Sequence, residues 1–123
     1  ESRLIIPDYR NPQWVRGFAL TPEAQRISMG GIPLFYTQRA GAVVKPHRDG
    51  IAKCCINIIL SYQVEPIIIE GTEYHYQCAL INVGEKTHWV NVSSADRLML
   101  RIIFKEPYDV MASKLRDQQR VLS

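Results

Sequence analysis

The sequence contains no apolar run of the length that a membrane-spanning helix requires, about 20 residues, and no signal peptide. It also lacks a strong excess of one charge, because 15 Lys and Arg oppose 12 Asp and Glu and the basic residues are scattered. These absences argue against membrane partners and against nucleic acid as a partner. The first residue is Glu1 rather than Met, so we expect a chain that is processed or cut from a longer one.

Cysteine is scarce, with two adjacent residues, Cys54 and Cys55, and a third at Cys78. Neighbouring cysteines rarely bridge, an odd number leaves one unpaired, and no CxxC pair is present to hold zinc. These features exclude a disulfide framework and predict a reducing, cytoplasmic location. We expect the three cysteines to serve as buried apolar side chains.

The length and the absence of linkers and repeats predict a single domain, residues 1–123. We expect residues 1–33 to form a supporting N-terminal strand and helix, and residues 34–107 to form the core of the domain. Residues 108–123 should close the chain as a helix or tail. The hydrophobic share of 46% and the charged share of 22% are those of an ordinary globular protein.

Short strands separated by turns dominate the predicted core. Lys53–Tyr62 is the clearest strand, since an apolar face alternates with a face that carries Asn57. Arg97–Phe104 alternates in the same way, with two arginines on its polar face. The pattern predicts an all-β fold of the sandwich or barrel class, mainly β with short flanking helices, and leaves the strand order open.

Three residues are candidates for a metal site: His47, Asp49 and His88. In an extended chain, residues two apart project to the same side, so His47 and Asp49 should lie together. With a second imidazole from a distant strand they would form the two-histidine, one-carboxylate set that holds Fe(II) and leaves coordination positions open. The spacing alone also allows structural roles, such as a turn aspartate. The third histidine, His75, we interpret as structural or as part of a pocket rim.

Two arginines follow His88 and share one face of the last predicted strand, Arg97 and Arg101. An arginine there could bind a dicarboxylate through a bidentate pair of hydrogen bonds. The two lie roughly 13 Å apart along a strand, too far to grip one small carboxylate together. We expect Arg97 to bind the dicarboxylate and Arg101 to be a rim residue or to form a salt bridge. A surface pairing of Arg97 with Asp96 or Glu106 is the structural alternative.

A longer pattern in the sequence resembles a known family. It runs through Gly41–His47, Lys53–Leu60, Asn82–Ser93 and Asp96–Leu100. The order Pro-His, then His-Trp-Val-Asn-Val-Ser, then Arg-Leu-Met-Leu resembles the aspartyl/asparaginyl β-hydroxylase branch of the Fe(II)/2-oxoglutarate-dependent oxygenases. The resemblance covers roughly residues 34–107.

The resemblance implies a double-stranded β-helix, or jelly-roll, fold of the cupin-like kind. It also implies a hydroxylase that uses Fe(II), 2-oxoglutarate as co-substrate, and O2. Position by position, it makes His47 and His88 the iron imidazoles and Arg97 the residue that binds the far carboxylate of 2-oxoglutarate. Asn57, and Tyr36 or Thr37, fall near family positions that help to hold the co-substrate.

The sequence departs from this family at Asp49. The best-known members of the branch lack an acid two residues after the first histidine, whereas here Asp49 completes a three-residue ligand set, as in the wider oxygenase superfamily. The chain also lacks the extra domains that some members use to engage protein substrates. The substrate of the family therefore does not carry over. The sequence is compatible with a peptide, a free amino acid or a small metabolite as substrate, and it does not predict the oligomeric state.

The rim of the pocket is predicted from aromatic and basic residues. Trp14 and Arg16 lie in a predicted N-terminal loop, Tyr74 and Tyr76 lie in a predicted hairpin, and Arg101 lies on the last strand. The aromatic side chains could stack on a flat group or cover a peptide. A non-catalytic cupin-like module that binds a metal or ligand is the main alternative function. A cupin-type metal enzyme without 2-oxoglutarate fits less well, because such sites more often use three or four histidines with Glu.

Overall fold

The computed structural model of this protein is built around two antiparallel β-sheets. The structure describes residues 3–7, 14–19, 26–62, 65–92 and 94–122, with side chains described for 26–62, 65–92 and 94–117. The elements are β1 Arg3–Pro7, β2 Trp14–Ala19, β3 Ile32–Gln38, β4 Val44–His47, β5 Cys54–Ile59, β6 Ile67–Ile69, β7 Thr72–Tyr74, β8 Cys78–Ile81, β9 His88–Val90, β10 Arg97–Phe104 and α1 Tyr108–Leu122.

The strand order is that of a jelly roll. One sheet has the order β1-β2-β3-β10-β5-β8 and the other the order β4-β9-β6-β7. Strands distant in sequence therefore lie side by side, and from β3 onward the chain passes repeatedly from one sheet to the other. The prediction of a mainly β, cupin-like jelly roll is confirmed. The two sheets do not close into a barrel within the described part of the chain.

The two faces of β5 and β10 pack against different partners. The apolar face predicted for each strand lies under α1, where Cys54, Ile102, Phe104 and Met111 form one buried cluster. The opposite faces look into the space between the sheets. A second buried cluster fills part of that space and contains residues from both sheets, namely Ala52, Cys55, Ile67, Ile81, Val83 and Val90.

The adjacent cysteines illustrate this alternation, because Cys54 packs under the helix and Cys55 packs between the sheets. Both are fully buried, and burial raises the pKa of the Cys54 thiol to about 11 and also raises that of Cys55. The prediction of buried apolar cysteines is correct for these two residues. It is wrong for Cys78, which is exposed because β8 is an edge strand.

The N-terminal part differs from the sequence prediction in one element. β1 is the N-terminal strand that was expected, and it lies at the edge of the six-stranded sheet. The loop expected around Trp14 and Arg16 is instead β2, which pairs with β1 on one side and with β3 on the other. Residues 20–25, in the region where an N-terminal helix was expected, lie outside the described residues, and the described Arg26 and Ile27 are helical. No helix in the described part of the chain has the length and apolarity needed to cross a bilayer.

Candidate metal centre and the neighbouring arginines

Strand pairing between β4 and β9 brings the two candidate histidines together. His47 ends β4, His88 begins β9, and the two are register partners. The register shifts between the pairs Val44–Val90 and His47–His88, with three residue steps on β4 against two on β9. In a regular strand His47 would face away from Val44, which packs between the sheets. The extra residue of this bulge instead turns His47 to the same side as His88.

Asp49 completes a compact cluster with the two imidazoles. Its Oδ1 atom lies 3.2 Å from Nε2 of His47 and 3.3 Å from Nε2 of His88. The three ligand atoms all lie within 4.8 Å of one another. The side chain of His47 is 39% exposed, against 6% for His88 and 13% for Asp49, so the cluster opens to solvent on the His47 side.

Backbone carbonyls fix the orientation of both imidazole rings. Nδ1 of His47 lies 2.7 Å from the Lys45 carbonyl oxygen, and Nδ1 of His88 lies 3.0 Å from the Lys86 carbonyl oxygen. A carbonyl can only accept, so each Nδ1 donates. In the neutral imidazole this leaves the lone pair on Nε2, the atom that faces Asp49. Metal-ligating histidines are usually held in this way.

The carboxylate of Asp49 is stabilised in its ionised form. Its Oδ2 atom accepts a hydrogen bond in an ion pair with Nη2 of Arg101. Burial alone raises the pKa of Asp49, but the two histidines and Arg101 outweigh it and hold the pKa well below its usual range. The hydrogen bond to Asp49 raises the pKa of His47 in turn. Two imidazole nitrogens and one carboxylate oxygen converging on one point form the donor set that suits Fe(II).

Arg97 is a buried cation in the space between the sheets. It is 1% exposed, its Nη1 donates to Oε1 of Gln38, and its Nε has no hydrogen-bond partner in the part of the chain that the structure describes. Burial lowers its pKa, and the neighbouring Tyr76 and Glu65 act in the opposite direction. The alternative pairings are not present, since Asp96 accepts from the Ala40 amide and Glu106 pairs with Lys114. A buried guanidinium with an unused donor suits an anionic ligand.

The other predicted co-substrate residues line the same space. Asn57 is buried, and its amide donates to the Tyr76 hydroxyl over 3.1 Å. Tyr36 is the register partner of Met99, so it shares the face of the two arginines, whereas Thr37 pairs with Leu98 on the opposite face. Of these two alternatives, only Tyr36 therefore faces the space between the sheets.

The predicted rim residues lie in different surroundings. Tyr74 is exposed at the edge strand β7, but Tyr76 turns inward to Asn57, and burial raises its pKa. The side chain of Trp14 lies outside the described residues. Arg101 is 16% exposed and forms the ion pair with Asp49, which was one of the two roles expected for it. His75 is exposed and is not part of the metal cluster.

Gly84 is a supporting residue that the sequence did not single out. The loop that carries Asp49 rests on the turn after β8, since the Asp49 amide donates to the Val83 carbonyl over 2.9 Å. The Gly84 amide donates to the Lys53 carbonyl over 3.1 Å. A Cβ atom on Gly84 would lie 2.8 Å from that same carbonyl oxygen. A larger residue must therefore displace the loop.

We expect Gly84→Ala to lower stability by about 1–3 kcal/mol, the usual range for overpacking, and to weaken metal binding. The displaced loop would move Asp49 relative to the imidazoles. Gly50→Ala is the matched control, because a Cβ atom there meets nothing within 4 Å. Thermal unfolding and Co(II) titration of both variants check this. Equal behaviour of the two variants would contradict it.

The fold is similar to two solved structures. One is KdgF from Halomonas sp., with a TM-score of 0.59 and 16% identity over 89% of this chain and 93% of that chain. The other is a prolyl-4-hydroxylase from Pseudomonas putida, with a TM-score of 0.61 and 13% identity over 83% of this chain and 77% of that chain. No family model matches the sequence, and no curated protein matches it. At these identities the similarity shows the fold alone, which is the jelly roll shared by cupins and 2-oxoglutarate oxygenases.

Proposed function

We propose that the protein is an Fe(II)- and 2-oxoglutarate-dependent dioxygenase that works in the cytoplasm. Its substrate would be an Asp or Asn side chain of a peptide, as in the aspartyl/asparaginyl β-hydroxylase branch, or a small amino-acid-like molecule. The observation that carries the proposal is the convergence of Nε2 of His47, Nε2 of His88 and Oδ1 of Asp49, all within 4.8 Å of one another. The similarity to a prolyl-4-hydroxylase supports it at the level of the fold.

In this proposal the metal cluster and the polar groups near it each have a defined task. His47, Asp49 and His88 would hold Fe(II), which would supply the redox chemistry with 2-oxoglutarate and O2. Arg97 binds the far carboxylate of 2-oxoglutarate through its free Nε and its remaining donors. Asn57 and Tyr36 border the same space and help to orient the co-substrate.

The open side of the cluster sets the direction from which a substrate approaches. His47 is the most exposed of the three ligands, whereas His88 and Asp49 are covered. The covered side is then left for the co-substrate, whose far carboxylate the buried Arg97 would bind. The substrate group to be hydroxylated would come to rest beside His47, and the packed sheets would keep water from the co-substrate.

Anaerobic titration of Fe(II) into the metal-free protein, with and without 2-oxoglutarate, tests the proposal. We expect a weak metal-to-ligand charge-transfer band in the visible spectrum only when both are present. The absence of iron binding would refute the proposed activity. Iron binding with no such band would refute the use of 2-oxoglutarate.

A non-catalytic cupin-like module is the alternative that one feature of the site favours. Asp49 already has a cation at Oδ2, and imidazoles that carry a proton on Nε2 would donate to Oδ1, so protonated histidines would satisfy the cluster without a metal. Such a cluster could persist in a protein that keeps the fold and has lost the reaction. The same titration separates the two functions, because the alternative predicts no charge-transfer band.

A further inference from the structure

Arg101 is the one cation in direct contact with the proposed metal ligands among the described residues. It lies on β10, the central strand that pairs with β3 on one side and with β5 on the other. Its backbone is therefore fixed from both sides. Its guanidinium carbon lies 5.4 Å from the centre of the Tyr36 ring, and the Cys55 thiol borders it. These neighbours hold the side chain toward Asp49.

The contact divides the two oxygens of Asp49 between two tasks. Oδ2 accepts from Arg101, while Oδ1 lies between the two imidazole nitrogens. A carboxylate without a second partner can rotate, and it can also bind a metal through both oxygens. When Oδ2 is held by an arginine, only Oδ1 is free for a metal. The number of open coordination positions then depends on this ion pair.

We infer that Arg101 is a positioning residue that makes Asp49 a one-oxygen ligand and keeps the other oxygen away from the metal. This inference rests on the proposed metal site, and it adds a residue that binds neither the metal nor the far carboxylate of the co-substrate. Arg97, four residues earlier on the same face, keeps that second task. The two arginines therefore have separable effects, one on the metal and one on 2-oxoglutarate.

The sign of the change in metal affinity distinguishes positioning from simple electrostatics. Arg101 is a positive charge beside a cation site, so if it acted only through its charge, its removal would tighten the binding of a divalent cation. If Arg101 positions Asp49, its removal weakens binding, by roughly 10–100-fold for partners of metal ligands. We expect Arg101→Met to weaken Co(II) binding by roughly this factor and to change the visible Co(II) spectrum, which reports coordination.

The experiment is a Co(II) titration of the wild-type protein, Arg101→Met, Arg101→Lys and the charge control Arg48→Met, without 2-oxoglutarate. The Arg48 side chain is exposed and lies between His47 and Asp49 in the chain, so its removal should leave Co(II) affinity unchanged or slightly higher. Arg101→Lys keeps the charge but not the planar fork, and we expect an intermediate affinity and a spectrum closer to that of the wild type. If Arg101→Met fails to fold, Arg101→Lys decides: weaker binding supports the inference, and wild-type binding overturns it.

A double-mutant cycle tests whether Arg101 acts through Asp49. Cu(II) is suitable, because a given set of nitrogen ligands binds it most tightly of the divalent first-row metals. We expect Arg101→Met to weaken Cu(II) binding in the wild-type background and to have little further effect when Asp49 is already Asn. Equal effects in both backgrounds would overturn the inference.

The outcomes also separate this inference from the proposed function. If the wild-type protein binds no Co(II), the proposed function and the inference about Arg101 both fail, because there is then no metal for Asp49 to bind. If the wild type binds Co(II) and Arg101→Met binds it as well or more tightly, the metal site stands and only the role of Arg101 is refuted.

Discussion

Replacing His88 by Ala is expected to abolish Fe(II) binding and all 2-oxoglutarate turnover. His88 supplies one of three ligand atoms that lie within 4.8 Å of one another, and the loss of one leaves too few donors to hold the metal. The same result is expected for His47→Ala and Asp49→Ala. Isothermal titration with Fe(II) under anaerobic conditions, together with succinate production, measures both effects. Thermal unfolding of each variant shows that the protein still folds.

The chain provides its own control for this prediction. His75 is the remaining histidine, and it is exposed and lies outside the cluster. We expect His75→Ala to bind Fe(II) as the wild type does. Normal turnover by Asp49→Ala would contradict the three-ligand site and leave a two-histidine centre, as in the best-known members of the branch that the sequence resembles.

Arg97→Met is expected to weaken 2-oxoglutarate binding by about 30-fold to several thousand-fold. The variant keeps most of the side-chain volume but removes the buried guanidinium whose Nε has no hydrogen-bond partner among the described residues. Truncation of one member of a buried, hydrogen-bonded charge pair costs about 2–5 kcal/mol, which gives this range of Kd. The charge-transfer band, titrated against 2-oxoglutarate at saturating Fe(II), measures the change.

The matched control for Arg97 is Arg39→Met, which removes an exposed arginine from the loop after β3. We expect that variant to titrate as the wild type does. Unchanged 2-oxoglutarate affinity in Arg97→Met would show that the far carboxylate is bound elsewhere. Loss of Fe(II) binding in the same variant, in the absence of 2-oxoglutarate, would show that Arg97 supports the metal site as well.

Local alternation in the sequence accounts for much of the fold. The bounds predicted for the last strand, Arg97–Phe104, are those of β10, and the apolar face predicted for it is the face that packs under α1. The turn at Gly71 was also predictable. Residues Glu70 and Gly71 both have positive φ, which matches a two-residue hairpin turn and favours glycine at the second position. In such elements the pattern of side chains is enough to predict the backbone geometry.

β2 is a strand that its own sequence does not predict. Residues 14–19 lack a regular alternation of apolar and polar side chains, and the segment is a strand because β1 and β3 supply hydrogen-bond partners on both sides. Those partners lie elsewhere in the chain. Propensity and patterning in a short window do not report them.

The sequence by itself determined the mainly β class, the faces of the two central strands and the identity of the three candidate metal ligands, and its resemblance to a known family implied the jelly roll. Only the tertiary structure decided how these ligands meet. His47 and His88 are 41 positions apart, and the bulge in β4 turns His47 toward its partner. The ion pair of Arg101 with Asp49 likewise depends on the position of β10 relative to the loop that follows β4. The physical reason is that alternation fixes the face of a side chain within its own strand, whereas register, bulges and ion pairs arise between strands that are distant in the chain.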